Sequence, residues 1–240
     1  MRLHQPVDIL AFGAHPDDVE CGCGGLLAKE KSLGYRVAVI DLTRGELSTN
    51  GTVEIRKAEA GKAAQILGLS WRCNLELPDC GVGKGTGQLE KIVRVIRTAA
   101  PRVVLAPYVR DRHPDHEAAC RLVTEACFAA GVGKLFPGLA PHRPAALLYY
   151  FLATSVTPQF IVDVTSGYEI KIRCIAAHQS QFSPEGGTAT FLNTGPGSFP
   201  ALVEARDRYY GSLIGTAYGE GFITEGPLPV ADPVSLWAGL

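Results

Sequence analysis

Residues 7–18 read VDILAFGAHPDD, a short apolar run followed by a turn with one histidine and two aspartates. The run Val7–Phe12 ends at Gly13 and is typical of a buried β-strand. Polar residues directly after such a strand lie at its carboxyl end, where open α/β sheets bind their ligands. The segment therefore predicts both a central strand and a functional loop.

The alternation of strand and helix continues through the following residues. Strands are predicted over Val7–Phe12, Arg36–Leu42, Trp71–Leu77 and Arg102–Ala106, with helices over Gly24–Leu33, Val53–Leu67 and Gln88–Ala99. This alternation is typical of βαβ units around a parallel sheet, and right-handed crossovers lead to a doubly wound order. We predict an α/β fold, Rossmann-like and doubly wound, with a mostly parallel sheet through about residue 130.

The rest of the chain, about 131–240, is predicted to be a C-terminal extension of the same single domain (1–240). Further strands are expected over Ala145–Phe151 and Phe160–Val164, and helices over Tyr168–His178 and Ala201–Tyr210. Residues 181–200 are rich in glycine and proline. An irregular stretch of this length in a compact domain is often a functional lid.

The composition disfavours several classes of protein. The 240 residues carry 23 basic and 24 acidic side chains, so the formal charge of -1 argues against a nucleic-acid-binding face. No stretch approaches the ~18–20 apolar residues of a membrane span, and the N-terminus lacks the features of a signal peptide. Seven cysteines, an odd number, make a disulfide scaffold a poor explanation. We expect a cytoplasmic protein with reduced cysteines.

Two motifs of histidine and aspartate follow the first and fourth predicted strands. The first strand commonly neighbours the fourth where the winding reverses, so both loops are expected to meet in one crevice. A catalytic zinc ion is typically held by three such side chains and keeps an open position. His15, Asp18 and His116 supply that set. Asp17 and His113 then remain close to the metal and free for acid–base chemistry.

Other interpretations of these motifs are weaker. Each motif alone fits a helix N-cap, but caps alone do not explain two matching motifs at two strand ends. A nucleotide-binding protein requires Gly-x-Gly-x-x-Gly at this turn, which His15–Asp18 occupies instead. A two-metal phosphoesterase would usually use more carboxylates. We interpret Gly22, Gly24 and Gly25 as allowing close packing of strand and helix.

Four segments together resemble the LmbE-like (PIG-L) family of zinc-dependent N-deacetylases. They are DILAFGAHPDDVECGCGG (8–25), DLTRGELSTNGTVEIRKAEA (41–60), RDRHPDH (110–116) and AAHQSQF (176–182). The combination is most similar to the bacillithiol-biosynthesis branch, which removes acetate from N-acetylglucosaminyl malate. Val19 separates the two aspartates from Glu20, as in that branch, whereas Cys21 replaces a residue that is often aliphatic. Other N-acetylglucosaminyl conjugates, of the mycothiol type or chitooligosaccharides, are the alternatives.

The resemblance implies a role for each motif residue. The family's metal ligands fall on His15, Asp18 and His116, its general base on Asp17, and its protonated electrophilic histidine on His113, held in its working state by Asp115. Zinc is the implied cofactor, and iron(II) suits the same donors. The family also implies a homo-oligomer, either a trimer or a hexamer.

The implied substrate is a small anionic sugar, and four further residues, together with Arg112, are candidates to bind it. Glu46 follows the second strand and would accept hydrogen bonds from sugar hydroxyls. Arg56 and Arg110 would bind sugar oxygens or a carboxylate, with Arg112 as a further cation. His178 is a candidate because its segment takes part in the resemblance.

Overall fold

The computed structural model describes residues 5–154, 156–183, 185, 187–195 and 197–232. The strands are β1 (Ile9–Gly13), β2 (Val37–Thr43), β3 (Trp71–Leu77), β4 (Val103–Pro107), β5 (Ala146–Tyr150), β6 (Phe160–Asp163) and β7 (Gly219–Thr224). The helices are α1 (Asp18–Ser32), α2 (Val53–Leu67), α3 (Gln88–Ala99), α4 (Pro114–Ala130), α5 (Tyr168–Ala177), α6 (Gln179–Phe182) and α7 (Phe199–Leu213).

All seven strands belong to one sheet in the order β3-β2-β1-β4-β5-β7-β6. Strands β1 to β5 run parallel to one another, while β7 runs antiparallel to β5 and β6. The predicted α/β fold with a mostly parallel sheet is confirmed. The winding reverses between β1 and β4, so the loops that follow these two strands face each other across a crevice.

Helices cover both faces of the sheet, as the side chains of β1 illustrate. Leu10 and Phe12 belong to a core with residues of α3 and α4. Ile9 and Ala11 belong to a second core with residues of α1, α2, α5 and α7. Successive side chains of a strand point to opposite faces, and a parallel sheet covered on both sides is therefore apolar at every position. This is why ILAF (9–12) is a continuous apolar run.

Helix α1 begins at Asp18 rather than at the predicted Gly24. The first turns of this helix contain glycines, which have poor helix propensity, and the sequence pattern therefore did not indicate a helix there. The helix is kinked at Cys23, where φ is −144° and ψ is 20°. Beyond the kink, the Glu220 carboxylate of β7 accepts the N–H groups of Gly25 and Leu26 at 2.9 and 2.7 Å. These bonds satisfy amide donors that the kink would otherwise leave without partners.

Strand β7 was not predicted from the sequence. Its sequence is Gly219-Glu-Gly-Phe-Ile-Thr, and the two glycines weaken the pattern that would indicate a strand. The strand nevertheless lies between β5 and β6 and joins the C-terminal part of the chain to the sheet. The other predicted strands and helices of this part are present with small changes of boundary.

All seven cysteines are free thiols, in agreement with the prediction that the chain is not built on disulfides. No helix within the described ranges combines the length and the apolar character that crossing a membrane demands.

Candidate active site

A cavity of about 370 Å³ opens where the loops after the first four strands meet. Its polar lining includes His15, Asp17, Asp18, Arg56, Asp79, Arg112, His113 and His116, and its apolar lining includes Leu47, Phe182, Phe191, Leu192 and Phe199. Both histidine–aspartate motifs therefore face one space, as the strand order requires.

The carboxylate of Asp18 lies between two imidazoles. Its Oδ2 is 3.6 Å from Nδ1 of His15, and its Oδ1 is 3.2 Å from Nε2 of His116. The backbone N–H of His15 also donates to this carboxylate at 2.9 Å. The structure thus brings together the three residues predicted to be metal ligands.

Two groups of donor atoms are close enough to hold one metal ion. One group is His15, His113 and His116, and the other is His15, Asp79 and Asp115. Both groups include the imidazole of His15. The ring of His113 stacks against His116 with centroids 4.9 Å apart, closer to the ligands than the sequence indicated. Imidazole nitrogens and aspartate oxygens fit zinc or iron(II).

The electrostatics around Asp18 favour a positive charge between the imidazoles. Burial opposes ionisation of Asp18, but His116 and His15 hold the pKa of this carboxyl well below its ordinary value. Burial also lowers the pKa of His116, yet Asp18 and Asp111 outweigh it and raise that pKa to about 9. The negative charge of the same carboxylates would stabilise a metal cation bound between the imidazoles.

Each of the two histidines predicted to be metal ligands also contacts a carboxylate with its other ring nitrogen. Nδ1 of His116 is 2.7 Å from Oδ1 of Asp111, and Nε2 of His15 is 3.3 Å from Oδ1 of Asp79. Neither aspartate was among the predicted site residues. Asp79 could have been predicted, because it closely follows the third strand and therefore lies at the same edge of the sheet as the two motifs. For Asp111 only the folded loop reveals the contact.

Asp17, the predicted general base, has an unusual backbone conformation and a buried carboxylate. Its φ is 144°, a value that L-residues rarely adopt and that concentrates at functional sites. Nη2 of Arg56 donates to Oδ2 of Asp17 at 3.0 Å. Burial raises the pKa of Asp17, and the opposing effect of Arg56 does not cancel this rise. A carboxylate with a raised pKa is a better proton acceptor for catalysis near neutral pH.

His113 differs from the expected imidazolium. Its Nδ1 accepts a hydrogen bond of 3.2 Å from the backbone N–H of Asp115, so a neutral ring carries its proton on Nε2. Burial lowers the pKa of His113, and the neighbouring His15 and His116 lower it further. The hydrogen bond accepted by Nδ1 leaves Nε2 as the N–H donor of the His113 ring in this arrangement.

The hydrogen bond to His113 that the resemblance implies for Asp115 does not involve the Asp115 carboxylate, although the charge of this carboxylate opposes the lowering of the His113 pKa. Oδ2 of Asp115 accepts the N–H of Cys80 at 2.7 Å and lies 3.7 Å from Nε2 of His15. The physical reason is that His113 is the N-cap of α4, so the free first-turn N–H of Asp115 points back at the His113 ring. The backbone makes the contact expected of the side chain.

The four predicted substrate-binding residues have different surroundings from those expected. Arg56 lines the cavity but is only 3% exposed, and it donates to Asp17, to the carbonyl of Pro16 at 3.1 Å and to that of Gly45 at 3.2 Å. It supports Asp17 and is not a free cation. Glu46 accepts the backbone N–H of Asp79 at 3.0 Å and is absent from the described cavity lining.

The other two candidates, His178 and Arg110, are absent from the lining that the described residues form. His178 is fully buried, with Nε2 3.5 Å from Oε1 of Glu20. His178 follows the last turn of α5, and its side chain packs inward. The resemblance of its segment gave no indication of this orientation. Arg110 is exposed and lies outside the lining formed by the described residues. Arg112 lines the cavity instead, with its guanidinium carbon 4.1 Å from the ring centroid of Phe191.

The predicted lid, residues 181–200, lies only partly within the described chain, because Pro184, Gly186 and Pro196 fall outside it. Several of its described residues line the cavity, namely Gln181, Phe182, Thr190, Phe191, Leu192 and Phe199. The segment thus forms a wall of the site, and its movement as a lid stays a prediction.

Comparison with known proteins defines the family. The family model described as "PIG-L: GlcNAc-PI de-N-acetylase" matches residues 10–127. The chain is 31% identical to the diacetylchitobiose deacetylase of Thermococcus kodakarensis over 239 residues, which cover 92% of this chain and 85% of that protein. The chain belongs to the PIG-L (LmbE-like) family of deacetylases.

Solved structures share the fold across both parts of the chain. The conserved protein TT1542 of Thermus thermophilus is 37% identical, with a TM-score of 0.84 over 94% of this chain and 97% of that one. The N,N'-diacetylchitobiose deacetylase of Pyrococcus horikoshii is 25% identical, with a TM-score of 0.78 over 90% of this chain and 83% of that one. The similarity therefore extends beyond the predicted Rossmann-like core.

Proposed function

We propose that this chain is a metal-dependent N-deacetylase that hydrolyses the acetamide of an N-acetylglucosaminide. The observation that carries the proposal is the pair of adjacent aspartates at the start of α1. Asp18 lies between two imidazoles, while Asp17 keeps a carboxylate with a raised pKa on the same cavity. The relatives named for diacetylchitobiose support this class of substrate.

Zinc, or iron(II), is the proposed cofactor, with His15, Asp18 and His116 as its ligands. When bound, such an ion supplies a Lewis acid that polarises the amide carbonyl and lowers the pKa of water. The other steps belong to side chains of the cavity.

Asp17 takes the proton of the attacking water, and Arg56 keeps the Asp17 carboxylate oriented for this step. The Nε2–H of His113 donates to the carbonyl oxygen as negative charge develops there, a contribution of about 3–4 kcal/mol in comparable sites. The proton held by Asp17 then passes to the leaving nitrogen as the C–N bond breaks. The products are acetate and a free amine.

Among N-acetylglucosaminides, we propose N-acetylglucosaminyl malate as the substrate. The support is the similarity of the four segments 8–25, 41–60, 110–116 and 176–182 in combination to the bacillithiol branch, together with the exposed Arg112 at the cavity. A guanidinium group binds a carboxylate through two parallel hydrogen bonds. Mycothiol-type precursors and chitooligosaccharides are the alternatives within the family, and a trimer or hexamer is the proposed assembly.

The test is an amine-release assay with metal-loaded protein on N-acetylglucosaminyl malate, an inositol-linked N-acetylglucosamine and diacetylchitobiose. We expect release from at least one conjugate and the highest kcat/KM for the malate conjugate. No release from any of them would refute the deacetylase proposal, and a higher kcat/KM for a neutral conjugate would refute the malate assignment. Metal analysis should find one ion per chain, whereas two would favour a phosphoesterase.

The Arg112→Ala variant tests the substrate assignment separately from the chemistry. Loss of a charge-assisted hydrogen bond should raise KM for the malate conjugate about tenfold and leave KM for diacetylchitobiose nearly unchanged. Arg110→Ala removes an exposed cation two residues away, outside the described lining, and is the matched control. Equal changes of KM on both substrates would contradict a carboxylate contact at Arg112.

A further inference from the structure

The carboxylate of Asp111 ties a proposed metal ligand to a loop on the other side of the site. Its Oδ1 is 2.7 Å from Nδ1 of His116 and accepts the backbone N–H of His113 at 3.0 Å. Its Oδ2 accepts the backbone N–H groups of Ala153 and Thr154 at 3.0 and 3.3 Å. The side chain is only 3% exposed, so these groups largely replace water as its partners.

We propose that Asp111 is a positioning residue that sets the tautomer of His116 for metal binding. The inference rests on the metal site of the proposed function. A carboxylate has no proton to donate, so the hydrogen of a neutral His116 must lie on Nδ1, facing Asp111. Nε2 of His116 then carries a lone pair toward Asp18 and the cavity. Histidine ligands of metal ions are commonly oriented by such outer carboxylates.

The corresponding contact on the other ligand is looser. Oδ1 of Asp79 lies 3.3 Å from Nε2 of His15, and its Oδ2 accepts one backbone N–H, that of Leu47, at 3.0 Å. Asp111, by contrast, has three backbone donors in addition to the imidazole. These donors fix the orientation of the carboxylate and leave one lone-pair direction for His116. The stronger effect on the metal is therefore expected at Asp111.

The Asp111→Asn variant keeps the shape of the side chain, removes its negative charge and replaces one acceptor oxygen by a donor NH₂ group. An amide presents its oxygen on one side only. If the oxygen faces the N–H groups of Ala153 and Thr154, the amide nitrogen faces His116 and forces the imidazole hydrogen onto Nε2. That nitrogen is then no longer free to bind a metal. In the opposite orientation, the amide nitrogen faces the backbone N–H groups of Ala153 and Thr154, and these donors then lose their acceptor.

The experiment measures zinc and cobalt(II) affinity by chelator competition in the full chain, together with the thermal melting of the metal-free protein. We expect Asp111→Asn to melt cooperatively and to bind zinc about 10–100-fold more weakly than the wild type. Glu117→Gln is the matched control, since it removes a carboxylate whose Oε1 accepts the Asp111 backbone N–H at 3.4 Å. Glu117 lies in the first turn of α4, and its carboxylate contacts the Asp111 backbone and not the imidazole of His116. The metal affinity of Glu117→Gln should therefore stay within about twofold of the wild type.

An affinity of Asp111→Asn equal to that of the wild type would refute the proposal. If the variant does not fold, the ¹⁵N spectrum of the zinc-loaded wild type decides, with the His116 signals assigned by their loss in His116→Gln. A protonated Nδ1 with the metal on Nε2 is expected, and a metal on Nδ1 would overturn the role of Asp111. A wild-type chain that binds neither metal would instead refute the metal site of the proposed function.

Discussion

Two adjacent aspartates at the start of α1 have opposite electrostatic surroundings. Burial raises the pKa of Asp17, whereas His116 and His15 overcome the effect of burial at Asp18 and lower its pKa. The unusual φ of Asp17 turns consecutive side chains toward different partners, Arg56 for Asp17 and the imidazoles for Asp18. Environments that separate the pKa values of two carboxyl groups in this way are typical of carboxylates with different chemical roles, which agrees with the proposed base at Asp17 and the proposed ligand at Asp18.

The Asp17→Asn variant tests this division at the level of one residue. Loss of the proton acceptor should reduce kcat by about 10²–10⁴-fold while zinc affinity stays close to that of the wild type. Asp18→Asn is the comparison and should lose zinc as well as activity. The measurements are kcat on the best substrate and bound zinc per chain. Near-wild-type kcat in zinc-loaded Asp17→Asn would assign the base to another residue.

Helix α1 owes its position to a close approach that only glycine permits. A Cβ atom on Gly22 would lie 2.0 Å from the Tyr150 ring of β5. The hydroxyl of Tyr150 donates in turn to the carbonyl of Phe12 in β1 at 2.8 Å. The helix that begins with Asp18 is therefore seated directly against the central strands. The glycines interpreted from the sequence as packing residues have that role at Gly22.

Gly22→Ala should destabilise the protein by about 1–3 kcal/mol, because a methyl group cannot fit beside the Tyr150 ring without displacing α1. Gly61→Ala in α2 is the matched control, since a Cβ there meets nothing within 4 Å. That variant should be neutral or more stable by up to about 1 kcal/mol, as alanine is the better helix former. Urea unfolding gives both free energies. Similar effects of the two substitutions would contradict the close contact.

At the scale of the whole molecule, a buried network of charges fastens the C-terminal extension to the core. Lys171 of α5 is fully buried and donates to Asp207 of α7 at 2.6 Å and to Glu220 of β7 at 2.7 Å. Glu220 also accepts the two α1 amides beyond the kink. Nη2 of Arg206 donates to the carbonyl of Cys21 at 2.7 Å. Elements far apart in sequence thus converge on the helix that bears Asp18.

Lys171→Met should lower the free energy of unfolding by about 3–5 kcal/mol, because it removes the ammonium group from buried Glu220 and leaves buried Asp207 with Arg206 as its cation. Arg94→Met in α3 removes the partner of Glu90 in a half-exposed ion pair and should cost less than about 1 kcal/mol. Denaturant unfolding at neutral pH compares the two. Burial lowers the pKa of Lys171, but Asp207 and Glu220 raise it above its ordinary value. The ion pair therefore stabilises fully below about pH 10 and is lost as the pH rises further.

Much of this architecture could be predicted from the sequence because its signals are local. Helices α2 and α3 and strand β3 have the predicted boundaries, since apolar periodicity and flanking glycines mark their ends. Strand β7 and the first turns of α1 could not be predicted, because glycines that serve tertiary packing suppress the local pattern. The meeting of His15 with His116 followed from strand order, which is a rule of topology.

The sequence by itself determined the parallel sheet, the two motifs at its carboxyl edge and the residue types available for a metal, because strand periodicity and loop composition are local properties. Only the tertiary structure decided what each side chain contacts. In the folded chain, Arg56 donates to Asp17, and His178 is buried beside Glu20. The backbone N–H of Asp115 donates to His113, and the carboxylate of Asp111 contacts the outer nitrogen of His116. These choices depend on distances of a few ångströms between loops that are remote in sequence, and no local pattern encodes them.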